Sequence, residues 1–161
     1  MFVGIVVGVF AMLFLQVVVL RAPAPRSGRQ PPGDVQITFY NAYMTRQVNA
    51  GMKQLQTPMP FQDVSVHGLD DQNIQMNGYF LYQGQRVPAQ VTVKPIARDG
   101  RVAIQVVGAQ LGVLRVPPEV VSGVENAIND GLARTMRNTS FKVVGASANV
   151  DGMVIEVTVS G

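Results

Sequence analysis

The chain has 161 residues, 47% hydrophobic and 14% charged, with one histidine and neither cysteine nor tryptophan. That composition excludes disulfides, thiol catalysis, cysteine-ligated metals and multi-histidine metal sites. The formal charge of +3 comes from Arg21, Arg26 and Arg29; from Asp34 onward ten basic residues meet ten acidic ones, so that part lacks the excess positive charge of a nucleic-acid binder.

From Phe2 to Leu20 run nineteen residues without a charge, with Gln16 as their polar side chain, and Arg21 ends the run. A helix rising about 1.5 Å per residue would extend roughly 28 Å there, close to the hydrocarbon thickness of a bilayer. Lipid offers the backbone no outside partner, so even a Val- and Ile-rich stretch must be helical. Residues 1–20 are therefore expected to form a transmembrane anchor, with the bilayer as partner of residues 2–20. A cleaved signal peptide is the alternative, but it wants a basic start and a shorter apolar core. Ala22-Pro23-Ala24 imitates a cleavage box, although proline surrounds it.

Residues 21–33 hold Pro23, Pro25, Pro31 and Pro32 and no aliphatic side chain larger than alanine, which reads as an extended linker. Its three arginines would each contribute about 1 kcal/mol beside anionic lipid. Basic flanks remain in the cytoplasm, so this cluster argues that the following domain lies inside.

Residues 34–161 are long enough for one domain with its own core. A short strand over Val35–Ile37 precedes a helix with Thr38 as N-cap. Tyr40, Met44, Val48, Met52 and Leu55 form its apolar stripe, and Asn41, Thr45, Asn49 and Lys53 its polar flank. The loop Thr57-Pro58-Met59-Pro60-Phe61 holds two large apolar side chains outside regular structure. Period-2 alternation then dominates. Val64 and Val66 oppose Ser65 and His67; Ile74, Met76, Gly78, Phe80 and Tyr82 oppose Gln75, Asn77 and Tyr79; Val87, Ala89, Val91 and Val93 oppose Gln90 and Thr92; Val102, Ile104 and Val106 follow. Turns fall at Asp70-Asp71, Gln83-Gly84, Asp99-Gly100 and Asp151-Gly152. Pro117-Pro118-Glu119 opens a second helix whose apolar face is Val121, Val124, Ile128 and Leu132. Two closing strands carry Val144, Ala146 and Ala148, then Met153, Ile155, Val157 and Val159. The fold class is α+β: a transmembrane helix, then a twisted antiparallel sheet of about six strands with two amphipathic helices on one face.

Catalytic constellations are absent from this pattern. Asp63, Ser65 and His67 share a strand face, but residues two apart on a strand are separated by about 6.6–6.8 Å, too far for proton transfer between parallel side chains. Asp70 and Asp71 shape a turn, and no phosphate-binding glycine loop occurs. The expectation is a protein that is not an enzyme and has no metal or cofactor.

Ile37-Thr38-Phe39-Tyr40-Asn41-Ala42 at a helix start resembles the "I-T-x-x-x-L-N" opening of the LmeA-like and YpmS-like membrane-anchored proteins. Asp99-Gly100-Arg101-Val102 and then Leu111-Gly112-Val113-Leu114-Arg115-Val116-Pro117-Pro118 are similar to their "d-G-x-v … l-G-x-l-x-l-P" passage. The resemblance spans about residues 35–160 and departs at the first helix, which has Tyr40, Tyr43 and Met44 in place of leucines. It implies a non-catalytic, single-pass cell-envelope protein that binds phospholipid, with the domain extracytoplasmic and similar to half of a tubular lipid-binding module. This orientation opposes the one argued from the arginines.

The combined expectation is an acyl chain or phospholipid held in an apolar groove between sheet and helices. Its candidate lining is Met44, Val48, Met52, Ile104, Val106, Val124, Ile128 and Leu132. The alternative is a structural or interaction module that docks an envelope protein partner without a lipid ligand.

Overall fold

The computed structural model describes residues 33–54, 61–138 and 141–159. The expected anchor, all but the last residue of the expected linker, and the loop at 57–60 lie outside them. Among the described residues no helix is long and apolar enough to cross a membrane.

Strand β1 (Val35–Tyr40) runs directly into α1 (Asn41–Gln54). A meander follows, made of β2 (Phe61–Gly68), β3 (Ile74–Tyr82), β4 (Gln85–Arg98), β5 (Arg101–Leu111) and the short β6 (Leu114–Arg115). Helix α2 (Pro118–Thr135) ends in a 3-10 turn (Met136–Asn138), and the hairpin of β7 (Phe141–Asn149) and β8 (Gly152–Val159) completes the described chain. Two-residue turns join β3 to β4 at Gln83-Gly84 (φ 49° and 79°) and β4 to β5 at Asp99-Gly100 (φ 53° and 72°). Positive φ at both positions suits the right-handed twist of the flanking strands, and glycine takes it without strain.

The strands divide into two antiparallel sheets, β1-β8-β7 and β2-β3-β4-β5-β6, in place of the single sheet that alternation suggests. The division is a long-range effect. β1 pairs at the far end of the chain, with Val35 opposite Val157 and Phe39 opposite Met153. β7 packs against β4 and β5, and Val143 N donates to Gly100 O at 2.8 Å. The smaller sheet thus covers the inner face of the larger one, where the alternation pattern suggests the helices.

One core joins both sheets and both helices. Phe39, Ile155 and Val157 of the small sheet meet Val66, Ile74, Met76 and Val93 of the large one. Met44 and Val48 of α1 and Ile128 and Leu132 of α2 close the cluster. In β7 a bulge between Val143 and Gly145 resets the alternation, so Val143 is buried and Val144 faces solvent.

The first helix starts later than the sequence suggests. Thr38 lies in β1 opposite Val154, Tyr40 is an exposed strand end, and Asn41 is the first helical residue. Asn41 also gathers three segments. Its N–H donates to Asp151 O (3.0 Å), its Nδ2 donates to Val150 O (2.7 Å) and its Oδ1 accepts from Gly68 N (2.8 Å). At Gly68 a Cβ would sit 1.7 Å from Asn149 O, so only glycine lets the end of β2 approach the β7–β8 turn this closely.

Candidate functional site

The two helices lie along strand edges through their polar side chains. On α1, Thr45 Oγ1 accepts from Val66 N (2.9 Å), while Asn49 accepts from Val64 N (3.3 Å) and donates to Val64 O (2.6 Å). With Asn41 on Gly68 these residues form three rungs at spacing i, i+4, i+8, against strand residues at spacing two. Four helical residues rise about 6 Å and two strand residues about 6.8 Å, so the periods nearly coincide. α2 repeats the contact on β5. Glu125 Oε2 accepts from Val106 N (2.8 Å), Asn129 Oδ1 accepts from Ile104 N (2.8 Å) and Asn129 Nδ2 donates to Ile104 O (2.8 Å). An edge strand's unpaired amides are thereby satisfied without a further strand.

The α2 ladder stops at Glu125. Four residues earlier stands Val121, which has no polar atom to offer, and β5 there carries a bulge opposite Thr92 and Val93. Strand and helix part, leaving a cleft of about 530 Å³ on the outward face. Val106, Val107, Ala109, Val116 and Val121 supply apolar walls, while Gln90, Thr92, Gln110, Arg115, Ser122 and Glu125 supply polar ones.

A second, smaller depression of about 270 Å³ adjoins it and shares Gln90 and Gln110. Asp63, Ser65, Asn77, Tyr79 and Pro88 complete its polar and aromatic lining. Asp63 occupies a bulge in β2 with φ 53°, and Arg86, 4.3 Å above the Tyr79 ring, pairs with its carboxylate.

Of the lipid-lining candidates, Met44, Val48, Ile104, Ile128 and Leu132 are core residues, none more than 3% exposed. They come together, packed on one another and on both sheets. Val106 borders the cleft. The side chains of Met52 and Val124 lie outside what the structure describes. The cleft-forming residues Val107, Val116 and Arg115 escape a search for apolar stripes because they flank a bulge and a helix start, whereas Val121 belongs to the apolar face expected for the second helix. The spacing of Asn41, Thr45 and Asn49, and of Glu125 and Asn129, is the signal in the sequence that marks the ladders.

Asp63 and Ser65 border the smaller depression, and His67 pairs across the sheet with Gln75. Asp71 accepts from Asn73 N and Asn73 Nδ2 (3.2 and 2.7 Å), which makes it a turn former. Among the described residues no group of three His, Asp or Glu is placed to hold a metal ion.

No family model, curated protein or solved structure matches this chain.

Proposed function

We propose that the chain is a membrane-tethered, non-catalytic protein of the cell envelope that takes the acyl chain of a phospholipid in the cleft between β5 and α2. The observation that carries this reading is the cleft itself, with valines on its walls and Arg115 and Ser122 at its rim. Apolar walls remove hydrocarbon from water, at about 0.8 kcal/mol per methylene buried. The cation and hydroxyl suit a phosphate head group. The apolar segment Phe2–Leu20 is the tether in this reading, and the resemblance over residues 35–160 supports a domain outside the cytoplasm. The expected lining moves from the closed core to Val106, Val107, Val116 and Val121.

The test is mass spectrometry of phospholipid that copurifies with the full chain in detergent. Val121→Trp fills the cleft and is expected to abolish copurification while the far-ultraviolet circular dichroism stays unchanged. Equal lipid in the folded variant, or none in the parent, overturns the reading.

One observation favours docking of an envelope protein instead. At the β5–β6 tip Val113 is 99% exposed and Leu114 69%, two apolar side chains on a hairpin turn. Loss of a crosslinked partner on Val113→Ser and Leu114→Ser, with lipid unaffected, would select it.

A further inference from the structure

We infer that the outward face of the five-stranded sheet is a binding site for a neutral, hydroxyl-rich chain, that is, a glycan. The site adjoins the acyl cleft and shares Gln90, Gln110 and Arg115 with it, but extends beyond it to Asn77 and Ser65 and does not rest on lipid binding. Register alone assembles it. Ser65 pairs with Asn77, Asn77 with Gln90, Gln90 with Gln110 and Gln110 with Arg115, so one row of polar side chains crosses all five strands. Neighbouring members stand about 4.8 Å apart, the spacing between strands.

The chemistry of the row decides its ligand. Amide side chains present donors and acceptors together, and a serine hydroxyl does both. An unbranched row of such groups matches a polymer whose hydroxyls also donate and accept along its length. A phosphate chain would want cations, and Arg115 stands only at the end of the row. The surface is also a depression and not a flat sheet, because Asp63 and Tyr79 close its other end. Asp63 adopts φ 53° at the β2 bulge, a conformation uncommon for a non-glycine residue. Bulges turn side chains away from the pleat, and here the carboxylate is held by Arg86 beside the row. It offers acceptor-only oxygens to ligand hydroxyls.

A peptide is the competing occupant, and it usually binds a sheet by adding a strand to an open edge. In this sheet the amides of Val64, Val66 and Gly68 are taken by α1, and those of Ile104 and Val106 by α2. That route is closed along both ladders.

The experiment titrates the full chain, in a detergent without a sugar head group, with cellohexaose, maltohexaose and hexa-N-acetylchitohexaose at millimolar concentration. Side-chain amide signals of Asn77, Gln90 and Gln110 are followed by NMR. At least one hexaose is expected to shift them, and Asn77→Ala to weaken that binding about tenfold, the value of one or two hydrogen bonds. Lys94→Ala, off the row, is expected to leave it unchanged. No shift with any of the three sugars overturns the inference. So does equal binding by Asn77→Ala, or a response to an extended Ser-Gly peptide but not to sugar. Copurifying lipid is read separately in Asn77→Ala, so failure here leaves the acyl cleft standing.

Discussion

Helices α1 and α2 meet their strands by the same contact, yet one edge is closed and the other opens into a cleft. α1 sets polar side chains at three successive levels, at Asn41, Thr45 and Asn49. α2 sets them at two, Glu125 and Asn129, and has Val121 where a third would stand. The cleft begins where the rungs end. An i, i+4 repeat of polar side chains therefore holds each helix on its strand edge, and α2 leaves β5 where Val121 interrupts the repeat and the strand carries its bulge.

The largest losses of stability are expected at the apolar anchors. Leu132→Ala on α2 and Met44→Ala on α1 are each expected to cost about 2–5 kcal/mol in urea unfolding. A markedly smaller loss for Leu132 would mean that α2 depends on its ladder and not on the core. Next in size come the asparagines. Asn49→Ala and Asn129→Ala each leave a strand residue's N–H and C=O without partners and should cost about 1–3 kcal/mol. Faster hydrogen exchange is expected at Val64 in the first variant and at Ile104 in the second. Val121→Asn sharpens the contrast by adding the missing rung. It should stabilise by about 0.5–1.5 kcal/mol, slow exchange across Val107–Ala109, and expel lipid from the cleft. The smallest effect belongs to Arg86→Ala. Arg86 and Asp63 are 51% and 70% exposed, so unfolding should shift by no more than about 0.5 kcal/mol.

Much of the element order is legible along the chain. Alternation marks β2 through β5, and Gln83-Gly84 and Asp99-Gly100 announce tight hairpins by residue type alone. The β7–β8 turn is displaced by one residue, to Val150 and Asp151, because Gly152 already pairs with Asn149. The sheet assignment is not legible, since nothing local to Val35–Tyr40 says that its partner lies more than a hundred residues away. The helix positions follow from the same cause. An amphipathic stripe fixes which side chains turn inward but not whether the helix lies across a sheet or beside it. That depends on which strands become edges, a property of the whole topology. Hence Asn41, Thr45 and Asn49 read only as a polar flank, when each is a hydrogen-bonding partner of β2. The lipid candidates show the reverse difficulty. Met44, Val48, Ile128 and Leu132 carry strong apolar periodicity because they are core, but Val106 and Val121 continue the same patterns and border the cleft, so periodicity does not separate packed from open positions.

The pairing of β1 with β8 bears on the order in which a newly made molecule can mature. Ribosomes deliver Val35 long before Val157, so the leading strand has to wait, its mate unsynthesised, while the intervening meander assembles from near neighbours. Contacts between such distant residues slow acquisition of the native state. A polypeptide halted before Gly152 would leave the edges of β1 and β7 bare, a liability for self-association.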